Sequence, residues 1–191
     1  MTRLDLVVGP NGAGKTTFVR LVLNPEVPFS VFVNADEIAK QQWPDNLEEH
    51  SYEAAEIAER TRTALIHARA PFIAETVFSH PAKLDLIRAA KAAAYTVRLH
   101  VVIIPEDLAV ARVAHRVQAG GHNVPETKIR ERHARLFALV ADAIALVDTT
   151  TVYDNSQISG PKIVARMSQG FTVGASAWPE WTPEALRRRW P

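Results

Sequence analysis

The chain has 191 residues, a formal net charge of +1, 47% hydrophobic and 23% charged residues, and no cysteine. That mixture fits one domain with a substantial core, argues against long nucleic acid as a partner, and excludes disulfides, thiolate metal sites and cysteine nucleophiles. No apolar run reaches membrane-spanning length, and the first strand begins too early to leave room for a signal peptide, so no membrane contact and a cytoplasmic location are expected.

Hydrophobic period and punctuation predict the elements in chain order. A strand over 3–8 leads into a helix that runs to about Leu23, where Asn24-Pro25 stops it. A short strand over 31–34 precedes Asp36, which sits where a helix N-cap would. A helical stretch over 48–69 is rich in Ala and Glu, and 71–76 reads as a strand ending in the polar pair Glu75-Thr76. Helix 81–94, strand 95–104, helix 106–119, helix 125 to about 147 and strand 149–153 follow. From 157 to 191 the pattern weakens. Residues 163–167 read as an edge strand, and a short helix ends in Arg187-Arg188-Arg189. That run reads as a solvated helix end, where cations suit the dipole.

Alternating strands and helices predict an α/β fold in three layers: a mostly parallel sheet flanked by helices, with the ligand beyond the C-terminal strand ends. Gly9-Pro10-Asn11-Gly12-Ala13-Gly14-Lys15-Thr16-Thr17 lies between the first strand and the first helix and fits the phosphate-loop pattern. Its backbone amides and helix N-terminus suit phosphate oxygens. Lys15 is expected as a surface-loop cation that reaches the β- and γ-phosphates of ATP without a packing role, and Thr16 offers its hydroxyl to Mg²⁺. The expected fold is thus that of a P-loop NTPase or kinase.

Asp36 is a candidate base for a substrate hydroxyl, and its position is equally that of a helix cap. Glu75 and Thr76 end a strand on the same edge; Glu75 suits a substrate hydroxyl or a metal-bound water. The helix from Glu106 has Val110, Val113 and Val117 on one face and Arg112 and Arg116 on the other. Gly120-Gly121 then forms a natural hinge, with His122 in it. In the next helix Ile129, Leu136, Val140, Ala143, Ile144 and Val147 share a face. Arg132 falls at its edge, Arg130 and Arg135 point to solvent, and His133 reads as a core histidine. A lid over 115–132 is expected to close on ATP.

These residues resemble the zeta toxin family of P-loop kinases in its short, stand-alone form. The likeness rests on 9–17, Asn34-Ala35-Asp36-Glu37-Ile38, Glu75-Thr76-Val77-Phe78-Ser79, the Arg116–Pro125 segment with its Gly-Gly-His-x-Val-Pro, Ile129-Arg130-Glu131-Arg132-His133 and Tyr153-Asp154-Asn155-Ser156. It implies ATP- and Mg²⁺-dependent phosphorylation of a small hydroxyl substrate, in the best-known members UDP-N-acetylglucosamine. It also implies Asp36 as base, Lys15 and Thr16 as phosphate and metal residues, Glu75 as a substrate contact and Arg116 as a lid arginine. Many members are held by an antitoxin. Where long members carry a second lid arginine this chain has His122, and Arg132 is the cation available to replace it. Two other readings stand beside this one: a kinase of a nucleoside, an antibiotic or a nucleic-acid end, and an ATP-binding switch without transfer.

Overall fold

A computed structural model describes residues 2–118 and 124–191. Their strands form one seven-stranded sheet in the order β2-β3-β1-β4-β5-β6-β7. The strands are β1 (Arg3–Val8), β2 (Val31–Val33), β3 (Phe72–Thr76), β4 (Thr96–Ile103), β5 (Thr149–Asp154), β6 (Lys162–Ser168) and β7 (Phe171–Thr172). The first five are parallel, and β6 and β7 are antiparallel additions at one edge. The helices are α1 (Lys15–Phe18), α2 (Asn24–Glu26), α3 (Ala35–Gln42), α4 (Ser51–His67), α5 (Lys83–Ala92), α6 (Glu106–Gln118), α7 (Glu126–Ile144) and α8 (Glu184–Arg187). The expected three-layer P-loop NTPase/kinase fold is therefore the observed one.

Strand alternation divides the core. Leu4, Leu6 and Val8 of β1 join Val97, Leu99 and Val101 of β4 in an apolar cluster with α4, α5 and α7. Val7 and Val102 face the other way, against Phe18, Val19 and Val113. That second face is not wholly apolar. Asp5, fully buried, takes a 2.8 Å contact from His100 Nε2 and a 2.7 Å hydrogen bond from Arg3. Tyr153 OH lies 3.4 Å from His100 Nδ1, and Phe18 packs on the Tyr153 ring. Burial alone would raise the Asp5 pKa, but the His100 and Arg3 partners outweigh it and hold the carboxyl below its ordinary value.

Two expectations change. The first helix does not end at Asn24-Pro25: α1 continues through a π-helical stretch, Val19–Leu23, into α2. A proline has no N–H to give, and the wider turn lies just ahead of it. The C-terminal region is also less irregular than its pattern. Strand β6 pairs with β5, and Leu186 and Trp190 are buried in the first apolar cluster. Trp178 and Trp190 find carbonyl partners for their indole N–H groups at Trp190 and Gly170. Arg187, Arg188 and Arg189 sit on the exposed side of α8 and its end, as expected.

Candidate functional site

The parallel register brings three strand ends to one edge. Val8 pairs with Thr76 across β1 and β3, and Val33 pairs with Ala74 across β2 and β3. Beyond those ends lies a cleft of about 570 Å³, a size suited to a small-molecule site. Asn11, Gly12, Gly14, Lys15, Thr16 and Thr17 form one wall; Asp36, Glu75 and Thr76 form another; Arg116 and Arg132 complete the mouth. The expected site residues thus converge. Gly9, Pro10 and Ala13 are buried behind the wall and shape the loop from within. His122 and the Gly120-Gly121 hinge lie outside the described residues.

The loop is locked by parts of the chain far away in sequence. Gly14 has φ +81°, and a Cβ there would stand 2.7 Å from Asn155 Nδ2. That same amide donates to Ala13 O at 2.8 Å. Gly12 has φ +74°, and a Cβ there would meet Ala109 O of α6 at 2.8 Å. Only glycine tolerates both the left-handed backbone and the close approach. Arg112, expected on the face of α6 opposite its valines, donates to Asn155 O at 3.0 Å and lines the cleft. The sequence spacing gave its face of the helix but not what that face meets.

Lys15 is not the surface cation expected. It is only 8% exposed, because the loop wraps its stem, and its Nζ donates to Pro10 O at 3.0 Å. Burial lowers its pKa; Glu75 and Asp36 oppose that, and the Arg116 and Arg132 charges deepen it. Glu75 accepts hydrogen bonds from Thr16 Oγ1 at 3.0 and 3.1 Å and from Asn34 Nδ2 at 2.7 Å. Burial raises the Glu75 pKa against the pull of Lys15, Thr16 and Asn34. A hydroxyl and a buried carboxylate side by side are hard oxygen donors of the kind Mg²⁺ accepts, with its remaining positions left to water and phosphate. No group of three or more His or carboxylate side chains among the described residues could hold a metal alone.

Asp36 does not cap α3. The cap is Asn34, whose Oδ1 accepts the backbone N–H of Asp36 at 2.7 Å and that of Glu37 at 3.4 Å. Asp36 is the second residue of the helix, and its carboxylate faces the cleft. Asn34 was visible only as part of a motif. Two polar residues at a strand end can each cap, and spacing does not choose between them.

Helix α7 buries the face expected of it, from Ile129 to Ile144. His133, expected in the core, is only partly buried: it packs on Phe137 and lies 3.4 Å from both Ile104 O and Glu106 Oε2. Arg130 does not simply point to solvent: it bridges Glu106, Asp107 and Glu126, joining α7 to the start of α6. Val117, expected on the apolar face of α6, is exposed, and the buried residues of that helix are Ala109 and Val113.

The AAA domain family pattern AAA_33 matches residues 4–139, from β1 into α7, and so spans every residue that lines the cleft. The chain belongs to that family. No curated protein matches it in sequence. Among solved structures it is similar to AvrRxo1-ORF1:AvrRxo1-ORF2 with sulphate ions, at 16% identity and a TM-score of 0.71 over 91% of this chain and 60% of that one. It is similar also to the AvrRxo1-ORF1:-ORF2 structure with ATP, at 16% identity and a TM-score of 0.69, with the same coverage. A third is the PezAT chromosomal toxin–antitoxin system of Streptococcus pneumoniae, at 16% identity and a TM-score of 0.66 over 99% of this chain and 84% of that one. At such identity the likeness is one of fold. The AAA-domain chain described here spans about 60% of the AvrRxo1 chain it matches. No helix among its described residues is long and apolar enough to cross a membrane.

Proposed function

We propose that this AAA-domain protein is an ATP- and Mg²⁺-dependent kinase of zeta toxin type, which phosphorylates a hydroxyl of a small acceptor. The observation that carries the reading is the Asp36 carboxylate. It is released from capping by Asn34 and faces the same cleft as Lys15, Thr16 and Glu75. A switch needs no such carboxylate; transfer to an alcohol does.

Thr16 and Glu75 would hold Mg²⁺, which when bound offsets charge on the β- and γ-phosphates. The loop amides and Lys15 hold the triphosphate. Asp36 orients the acceptor hydroxyl and takes its proton as the oxygen bonds to the γ-phosphorus. The bond from that phosphorus to the β,γ-bridging oxygen breaks, and ADP leaves. Arg116 and Arg132 meet the charge that builds on the transferring group.

The similar fold with ATP supports the donor, and the similar PezAT fold supports an antitoxin as partner. The zeta toxin resemblance supports UDP-N-acetylglucosamine or a related nucleotide-sugar as acceptor. The test is incubation with labelled ATP and a pool of cell metabolites, read by mass spectrometry. Label on a metabolite is the expected result. Release of phosphate alone, with every metabolite unlabelled, would reject the kinase.

A further inference from the structure

The second face of the sheet is covered over only part of its width. Along β1 and β4 it packs against Phe18, Val19 and Val113, from α1, its π-helical continuation and α6. That cover reaches β5 at Tyr153, whose ring meets Phe18. The pairing register shows what lies past it. Arg98 pairs with Thr149, Thr149 with Ser168 and Ser168 with Phe171, one row across four strands. Thr151 pairs with Arg166, and the Val173 N–H donates to Arg166 O at 2.8 Å, a second row. Ile163 stands beside Tyr153. None of these side chains is buried. On the opposite side of the same strands Thr150, Val152, Ala165 and Met167 all are.

This open face is not the polar surface that a solvated sheet side calls for. Phe171 is 77% exposed, Val173 52% and Ile163 42%. Large apolar side chains grouped in this way mark a contact surface. Between them stand Arg98 and Arg166, both exposed, and neither guanidinium makes a hydrogen bond or ion pair with a described residue. Among the described residues, Asp5 is the only carboxylate that β1, β4, β5, β6 and β7 turn to this side, and it is buried and held by Arg3 and His100. Glu26, exposed at the end of α2, adds one acid whose charge reaches Tyr153 alongside that of Arg166.

We propose that this face docks an acidic amphipathic helix of a partner protein, laid over β5, β6 and β7 to complete the half-built helical layer. Helices already cover the neighbouring half of the face, and a further helix is what such a layer accepts. Its apolar side would seat on Phe171, Val173 and Ile163, and its Asp or Glu side chains would meet the forks of Arg98 and Arg166. An added strand suits the site less, because the edge strand β7 has two residues. A second copy of the chain suits it less too, since a two-fold contact sets the patch against itself and arginines against arginines. Arg98 and Thr149 stand near the starts of their strands, whereas the cleft lies beyond the strand ends, so a docked helix leaves the cleft open. The proposal goes beyond the kinase reading and does not depend on it.

The probe is a display library of helical peptides, selected on the whole chain and counter-selected on Phe171→Ser, so that peptides held elsewhere are discarded. The survivors should carry Asp or Glu beside Leu, Ile or Phe at helical spacing. Arg98→Glu and Arg166→Glu should each weaken the best peptide roughly tenfold or more, because like charges then meet. The altered residues are exposed, so melting temperatures should stay near that of wild type. Changing the peptide's acids to Lys should abolish binding to wild type and restore it to the Arg98→Glu/Arg166→Glu double variant. No surviving peptide, survivors indifferent to both arginine variants, or a lysine peptide that binds wild type equally well overturns the surface. Binding to phosphatidylserine vesicles, lost in the double variant while no acidic helix is selected, gives the face to a membrane and overturns the protein partner.

Discussion

Asn34 Nδ2 donates to Glu75 at 2.7 Å, while Asn34 Oδ1 holds the first turn of α3. One amide therefore ties the end of β3 to the start of α3 and fixes the spacing between Glu75 and Asp36 in the cleft.

This separates two roles by mutation. Asp36→Asn should slow transfer by roughly 100-fold, the scale of a general base, with ATP affinity and melting temperature close to wild type. Asn34→Ala should instead cost about 1 kcal/mol of stability, the usual loss for a cap. Kinetics and thermal melts on both variants check this. Normal transfer by Asp36→Asn would remove it as the base.

Lys15→Met tests the buried cation. It should abolish ATP turnover and weaken ATP binding, and it should raise the melting temperature of the free protein, by about 2–4 °C for each kcal/mol relieved. The reason is that the fold depresses the Lys15 pKa, so the charged form is unfavourable there at every pH below that lowered value. An unchanged or lower melting temperature would mean that the Pro10 hydrogen bond outweighs the burial.

Glu75 sets a pH dependence. Its pKa is raised above the ordinary 4.5, chiefly by burial. The ionised form is thus disfavoured in the fold: it costs stability above the raised pKa, and the cost vanishes below 4.5. Glu75→Gln should raise the melting temperature of the free protein at neutral pH, and the gain should shrink as pH falls into that window. The same variant should lose the Mg²⁺-dependent part of ATP binding. A gain that grows toward acid would contradict the shift.

Arg116→Ala and Arg132→Ala should each lower the rate of transfer more than the affinity for ATP, because the charge they meet is largest in the transition state. Steady-state rates alongside analogue binding decide it. Wild-type rates in both would leave these arginines as a solvated rim.

The nine-residue loop was legible because its glycines, lysine and threonines stand between an apolar run and a helix, a local signal needing no distant partner. A mostly parallel sheet flanked by helices followed from alternation, but the order of its strands did not. What escaped depends on contacts far apart in sequence. The Asn155 clamp on Ala13 spans 142 residues. Strand β7 has two residues, too few for a period.

The Asp5–His100–Tyr153 set has a consequence for how the chain assembles. Its members stand on β1, β4 and β5, three neighbours built from distant stretches of sequence. Apolar strands alone slide past one another at little cost. A slip of β1 by one residue would turn Asp5 into the opposite layer, toward the apolar residues of α5 and α7 and away from its partners, with an uncompensated carboxylate in hydrocarbon. Misaligned pairings of these three strands are thereby disfavoured.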